Sequence, residues 1–446
     1  METNLEIIKD LLTNKKYNEL KKILNELNSA DIPGILEEFD KEDVIRIFRL
    51  LSKEQAGEAF SYMESDMREK LLEDLTDREL KSVIDELFMD DTVDLIEEMP
   101  SNVVKRILKL VNKEDRNTIN ELLKYPEDSA GSIMTTEFID LKETMTAEQA
   151  LKRIRKIGTD SETIYTCYVL TEKRILKGII NIKDILIAPK EKLIKELMET
   201  NIISANTLED QEEVAKKFDK YDFYALPVVD NENRLVGIIT VDDAINVLQD
   251  EAQEDFEKMA AMQPTEDGYF ETSVWKHAKN RIVWLLILML SAAITGNILA
   301  QYEAAFAVAP LLVAFIPMIM GTGGNCGSQS STLIIRGLAT DEIKLKDIFR
   351  VIWKEIRVAF IVGVALAIVN AIRVIVQYRD IQLAVVLGIT LIVTTIISKV
   401  LGCVLPMLAK RLKLDPAIMA APLITTLVDV CSILVYFQVA TSIMGL

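Results

Sequence analysis

Histidine is almost missing from this chain. His277 is its one instance in 446 residues, which excludes an HExxH motif and any multi-histidine zinc or copper centre. Cysteine is scarce as well. Cys167, Cys326, Cys403 and Cys431 show no CxxC spacing, and three of them lie in apolar runs, where a small buried side chain is the ordinary role. Positive charge is short in the N-terminal part: residues 1–273 hold 36 Lys and Arg against 61 Asp and Glu, a net −25. Such a surface repels phosphate backbones, so nucleic acid is excluded as a partner. The N-terminus alternates charges with leucines and has no apolar h-region, so no cleaved signal peptide is expected.

Residues 274–446 are different. They carry 15 basic and 8 acidic residues, a net +7. Uncharged runs cover Ile282–Tyr302 and Ala304–Ile335. Three more long runs, Val358–Tyr378, Ile381–Leu408 and Pro416–Leu446, contain only Arg373, Lys399 and Asp429 as charges. A span needs about 20 apolar residues, so five spans in contact with membrane lipid are expected. Basic residues alternate between the connections. Lys276, Lys279 and Arg281 precede the first span, Arg336, Lys344, Lys346, Arg350, Lys354 and Arg357 follow the second, and Lys410, Arg411 and Lys413 follow the fourth. The connection after the third has only Arg373 and Arg379. Twelve against two places the acidic N-terminal part in the cytoplasm and the C-terminus outside a plasma or inner membrane.

Two membrane features are chemically unusual. The second run contains Gly321, Gly323, Gly324, Asn325, Gly327 and Gln329 after Pro317. Glycine and proline weaken a helix, and an irregular insert in lipid must line protein or water. Such an insert could offer backbone and amide oxygens to an ion; close helix packing through small residues is the equal alternative. Asp429 stands mid-span with Thr425 one turn before it. A charge there costs at least about 2.5–3.5 kcal/mol. An all-oxygen environment of this kind suits Mg²⁺ or Ca²⁺. The competing role is an ion pair with Arg373 or Lys399.

The N-terminal part has its own periodicities. Residues 133–252 contain a repeat: Lys177-Gly-Ile-Ile-Asn-Ile-Lys-Asp184 matches Val236-Gly-Ile-Ile-Thr-Val-Asp-Asp243, and Ser132-Ile-Met134 matches Glu196-Leu-Met198. Short apolar strands, a turn and a helix in each copy resemble a tandem CBS (Bateman) module. In that family a Thr/Ser-x-x-Asp contacts a nucleotide ribose. Thr240 and Asp243 keep it, while Asn181 departs from it; Asp184 and Phe223 are the remaining nucleotide-pocket candidates, with core packing the stronger role for Phe223. Residues 4–128 show helical spacing at Leu71, Leu72, Leu75, Leu80, Val83, Ile84 and Leu87, with Ser52, Thr76 and Asp90 as N-caps. An acidic helix from about Val241 to Met262 leads to the first span. Its like charges at three- and four-residue spacing cost roughly 0.2–0.5 kcal/mol per pair, which a solvated face or a divalent cation would relieve.

The order of these parts, together with Tyr125-Pro-Glu-Asp-Ser-Ala-Gly-Ser-Ile-Met134, Gly323-Gly-Asn-Cys-Gly-Ser-Gln329 and Ala421-Pro-Leu-Ile-Thr-Thr-Leu-Val-Asp429, resembles the MgtE family of magnesium transporters over essentially the whole chain. The fold this implies is multi-domain: an all-α helical superhelix at 1–130, an α/β tandem CBS module at 131–195 and 196–252, a connecting helix within 241–272, and an all-α five-span domain at 273–446. The resemblance further implies no enzyme but a homodimeric Mg²⁺ channel, closed when cytosolic Mg²⁺ is plentiful. Asp429 would then be the pore carboxylate, with Thr425, Gly323, Gly324, Asn325, Gly327 and Gln329 along the path. Glu58, Asp90, Asp94, Asp210, Glu212, Asp222, Asp243, Glu251, Glu254 and Asp255 would be regulatory, and Asn246 stands where an aspartate is expected. ATP at the CBS module is a further expectation. Two other readings compete: a CBS-regulated transporter of another divalent cation such as Co²⁺, gated by nucleotide, and a membrane enzyme or receptor built on Asp429.

Overall fold

The computed structural model describes residues 2–265, 268–270, 272–302, 309–419 and 421–445. It contains two compact units, Met1–Gln249 and Asp250–Leu446. The start of the second apolar run, around Ala304, lies outside the described residues.

The first unit opens with a succession of short helices between Glu2 and Leu122. Local chemistry sets their starts. The Ser52 hydroxyl accepts from the Gln55 N–H and begins Lys53–Ser61. Thr76 and Glu79 form a capping box before Asp77–Ile84. Asp90 departs from expectation. Phe88 occupies the N-cap, the helix is Met89–Glu98, and Asp90 sits in its first turn, where a carboxylate complements the helix dipole. The periodic leucines do face inward: Leu71, Leu72, Leu75, Leu80, Val83 and Ile84 are buried. They join one core with Val214, Phe218, Leu226 and Ile239 of the second CBS repeat.

Two three-stranded sheets follow. In the first, β1 (Phe138–Leu141) runs parallel to β2 (Thr163–Leu170), which pairs antiparallel with β3 (Leu176–Asn181). In the second, β4 (Ala205–Asn206), β5 (Ala225–Val229) and β6 (Leu235–Thr240) repeat that order. The repeats exchange their leading segments. Thr135 bridges Ile238 of β6, and Glu199 bridges Ile179 of β3. The repeated glycine explains how. A Cβ on Gly237 would come within 2.8 Å of Met134 Sδ, and one on Gly178 within 2.6 Å of Met198 Sδ. Each methionine therefore lies across the other repeat's sheet, and the expected boundary near residue 195 divides the chain without dividing the sheets.

The connecting helix is Val241–Met259, shorter than expected, and from Asp250 onward it belongs to the second unit. Among the described residues, that unit has five helices long and apolar enough to cross a membrane: Val274–Gln301, Ile316–Ala339, Ile348–Tyr378, Ile381–Arg411 and Ala421–Met444. The first starts earlier than its uncharged run, and the third starts ten residues before Val358, which brings Glu355 into a buried position. The irregular insert expected in the second span is absent: Ile316–Ala339 is one α-helix through all of its glycines. Pro317 falls in the first turn, where its missing N–H has no partner to lose. Because the helix is continuous, its carbonyls are committed to its own ladder.

Candidate metal centres

The glycines of span 2 serve close packing. A Cβ on Gly323 would lie 2.8 Å from Ser432 Oγ and 2.9 Å from Thr394 Cγ2. One on Gly324 would lie 2.8 Å from Thr425 Cγ2, and one on Gly327 2.7 Å from Ile424 Cγ2. Helices 4 and 5 thus touch the bare backbone of helix 2. Asn325 and Gln329, one turn apart, are on the opposite, exposed face.

Asp429 lies on span 5 between two residues that reach those glycines. At 3.6 residues per turn, positions 425, 429 and 432 share an arc of roughly 60°. Thr425 touches Gly324 and Ser432 touches Gly323, so the Asp429 side chain leaves the helix on the same side. Asp429 Oδ1 is buried and accepts no hydrogen bond. Thr425 Oγ1 donates to the Ala421 carbonyl at 2.6 Å. The ion pair with Arg373 or Lys399 does not form. The Arg373 guanidinium lies 5.6 Å from the centre of the Phe315 ring. Lys399 Nζ donates to Ser330 Oγ at 3.1 Å and stands 3.8 Å from Glu355 Oε2. A buried carboxylate oxygen without a donor is costly unless a cation or water supplies one.

A second concentration of carboxylates lies in the first unit. Asp90, Asp91 and Asp94 come from Met89–Glu98, Asp242 and Asp243 from the start of the connecting helix, and Glu162 from the turn before β2. Burial, and then Asp243, Asp91 and Glu162, push the Asp90 carboxyl well above its ordinary range. Burial is also the largest cause at Asp91, pushed up to about 6 with Asp243 next, and at Glu162, pushed up to about 8 by Asp243 and Asp242 besides. Asp94 rises to about 7 through the protein packed around it and then through Asp91 and Glu98; its side chain reaches solvent, so its shift is the most open to screening. Asp243 is raised by burial while Thr240 opposes the rise, with Thr240 Oγ1 donating at 2.5 Å. One Glu162 oxygen, Oε2, is buried without a partner. Among the described residues, no three His, Cys, Asp or Glu side chains are close enough together to hold a metal ion, so the group is a field of crowded acids rather than a finished cage.

The other expected regulatory acids are distributed. Glu58 accepts from Ser29 Oγ at 2.7 Å. Asp210 caps Gln211–Tyr221, accepting from the N–H groups of Glu212 and Glu213. Glu212 pairs with Lys216 at 2.9 Å, and Asp222 ends that helix in the left-handed region at φ 54°. Glu251 and Asp255 lie on the connecting helix with the exposed Asn246. Lys258 Nζ joins Glu254 at 2.6 Å to Asp415 at 2.7 Å. Asp184 is exposed in the first turn of Ile182–Ile187. Phe223 stacks on Tyr221 at 5.5 Å and is partly buried against the core. Sequence reasoning passed over Asp91, Asp242 and Glu162. The first two adjoin residues it did select, whereas Glu162 carries no local signal and is delivered by the fold. It also passed over Tyr165 and Tyr224, two exposed rings 6.1 Å apart.

A bundle of five apolar helices holding a carboxylate with one buried oxygen that no protein group satisfies, joined to a CBS pair and a helical domain, has the build of a membrane transporter. Family comparison agrees. Residues 316–439 match the divalent cation transporter model MgtE, 27–128 the MgtE intracellular N domain, and 130–191 and 194–250 the CBS domain. The chain is 35% identical to the magnesium transporter MgtE of Thermus thermophilus over 99% of its own length and 98% of that protein's, and 33% identical to the Bacillus subtilis protein over 97% and 95%. The chain belongs to the MgtE family of magnesium transporters. Its N-terminal part also resembles two solved structures. One is the soluble part of a magnesium transporter (TM-score 0.54, 30% identity, 56% of this chain and 99% of that one). The other is the cytosolic domain of the Mg²⁺ channel MgtE in complex with ATP (TM-score 0.52, 34% identity, 54% and 98%).

Proposed function

We propose that the protein is a Mg²⁺-selective channel that imports Mg²⁺ and is closed by cytosolic Mg²⁺. The observation that carries this is Asp429: a mid-membrane carboxylate with a buried oxygen that no protein group satisfies. Mg²⁺ retains several waters and takes one or two carboxylates, so Asp429 together with its copy in a homodimer would hold a hydrated ion. Asn325 and Gln329 lie on the face of span 2 turned away from the Asp429 contact, so we assign them a lesser part. The glycines Gly323, Gly324 and Gly327 serve the ion site indirectly, letting helix 2 approach Asp429.

Closure would come from the crowded acids of the first unit. Mg²⁺ shared among Asp90, Asp91, Asp94, Glu162 and Asp243 would relieve repulsion between the helical domain, the first CBS repeat and the first turn of the connecting helix. That helix would carry the change toward the spans. Glu58, Asp210, Glu212 and Asp222 are already bonded or outlying, so we assign them a lesser part. The C-terminus lies outside in this reading. ATP binding is supported by the ATP complex of a relative and by the open Tyr165–Tyr224 pair, with Asp184 and Phe223 as neighbouring candidates.

Mg²⁺ flux into proteoliposomes, with Mg²⁺ titrated on the cytoplasmic side, tests the proposal. Saturable uptake that declines as cytoplasmic Mg²⁺ rises supports it. Uptake indifferent to cytoplasmic Mg²⁺ overturns the sensor, and absence of Mg²⁺ uptake overturns the channel.

A further inference from the structure

The third span is longer than a bilayer is thick. Ile348–Tyr378 has 31 residues, about 46 Å of helix, against about 30 Å of hydrocarbon. Arg373 is the only charge in it after Arg357, so the turns before Val358 project into and past the headgroup layer. One side of those turns is packed. Ile348, Val351 and Ile352 lie against Ile334 and Leu338 of span 2 and Cys403 and Met407 of span 4. Glu355 points the same way, accepting from Ser330 Oγ at 2.5 Å and pairing with Lys399 Nζ at 3.8 Å. These contacts fix which face of the helix turns outward.

The outward face is both aromatic and basic. Phe349, Arg350, Trp353, Lys354 and Arg357 share an arc of about 140° opposite the packed side. All five are exposed, Phe349 at 83% and Trp353 at 61%. The arc continues along the helix as the exposed Phe360 and Ile361, so the bases stand where the apolar surface ends. Arg350, Lys354 and Arg357 form no ion pair among the described residues. They repel one another at four- and three-residue spacing, which an anion would relieve. Arg357 is already oriented. Its guanidinium carbon lies 5.9 Å from the centre of the Trp353 ring, and its Nε donates to the Trp353 carbonyl at 3.4 Å. The two terminal nitrogens of the fork are left for an acceptor, and phosphate matches that planar fork.

We infer that this face binds the headgroup phosphate of an anionic phospholipid, with Arg350, Lys354 and Arg357 as donors and Trp353 at the boundary between headgroups and acyl chains. Position decides the occupant. A soluble phosphate would satisfy the bases but gain nothing from Phe349, Trp353 and the apolar surface beyond them. A second copy presenting the same face would set bases against bases. A lipid meets both halves of the face: its phosphate stands at the depth of Trp353 and Arg357, and its chains run along Phe360 and Ile361. The unpaired positive charge selects an anionic headgroup over a zwitterionic one. The assignment is independent of the ion route at Asp429.

The full-length protein carries its own probe. Trp275, Trp284 and Trp353 are its three tryptophans, so Trp275→Phe with Trp284→Phe leaves Trp353 as the one indole fluorophore. That parent is reconstituted in vesicles of equal phosphatidylglycerol and phosphatidylcholine, with bromine on the acyl chains of one lipid at a time. Quenching should report phosphatidylglycerol enriched at least ~5-fold over phosphatidylcholine at Trp353, about what one basic residue adds beside an anionic surface. Arg350→Gln, Lys354→Gln and Arg357→Gln together, all on the unpacked face, should make the two lipids quench equally with incorporation unchanged. If the triple variant does not incorporate, Arg357→Gln alone decides and should lower the enrichment. Lys276→Gln, Lys279→Gln and Arg281→Gln before span 1 are the control and should leave the ratio as it was. Equal quenching by both lipids in the parent would overturn the site. So would an equal loss of enrichment in the span 1 control, which would mean general attraction to the membrane surface. Weak quenching by both lipids would mean that a second copy or an acidic segment covers Trp353, and loss of enrichment on adding inorganic phosphate at constant ionic strength would give the face to a soluble anion; either result overturns lipid as the occupant.

Discussion

Gly402 of span 4 faces the carbonyl oxygen of Gly327 on span 2 so closely that no Cβ fits between them. Gly402→Ala therefore overpacks the crossing at a cost of about 1–3 kcal/mol. Gly388→Ala on the same helix is the control, since its methyl would meet only the Ala367 Cβ at 3.8 Å. Thermal denaturation in detergent should show a lowered midpoint for the first and none for the second. Equal midpoints would mean that the two helices are not held this tightly.

Asp429→Asn keeps the shape of the side chain and removes its charge. A hydrogen bond to a charged group is worth about 1.5–3 kcal/mol, so Mg²⁺ uptake should fall roughly ten- to hundred-fold with incorporation unchanged. The motive is the unpartnered Oδ1. Native uptake and selectivity in this variant would remove Asp429 from the ion site.

Neutralising Asp90, Asp94 and Asp243 to asparagine should leave the open channel conducting. The concentration of cytoplasmic Mg²⁺ that half-closes it should rise at least ~10-fold, within the usual range of a coupling free energy. Glu162→Gln, which removes the charge of a carboxylate whose Oε2 is buried without a partner, should move it in the same direction. Closure at the native concentration in both variants would return these acids to a solvated surface.

The same acids dictate a pH dependence. In the folded protein Asp91 is held at about 6 and Glu162 at about 8, against ordinary values of 3.8 and 4.5. The native state therefore keeps protons that the unfolded chain has released, and stability falls as pH rises from about 4 to about 8. Without Mg²⁺, hydrogen exchange over 89–98 and 241–249, corrected for intrinsic rates, should show protection declining across that window. Added Mg²⁺ would take the protons' place and restore it at pH 8. Protection that grows with pH in metal-free buffer would contradict the crowding of these acids.

The charge asymmetry of the connections predicts sidedness. A cysteine introduced at Gly445 should react with an impermeant maleimide from outside intact cells, and one at Lys346 only after permeabilisation. The reverse pattern would overturn the five-span arrangement with its N-terminal part inside.

The amino-acid sequence by itself determined the number of spans, because uncharged runs near 20 residues have no stable place but a bilayer or a core. It determined the CBS repeat, because Gly178 and Gly237 recur with their flanking strands, and it singled out Asp429, because a lone mid-span charge is costly enough to stand out. The helical stack was legible from apolar spacing and from the caps at Ser52 and Thr76. Tertiary structure decided what depends on several neighbours at once. Gly323, Gly324 and Gly327 read equally as an irregular insert or as close helix packing, and contact with Thr394, Thr425 and Ile424 decided for the packed helix, since close contact between spans replaces the propensity that glycine lacks. Met134 and Met198 cross to each other's sheet, which no local pattern records. Glu162 joins Asp90 and Asp243 from the turn before β2, far along the chain from both. Glu355 fell outside an uncharged run and became the buried partner of Lys399, because a carboxylate and an ammonium that are each prohibitive alone in a dry interior become tolerable only where the fold brings them together.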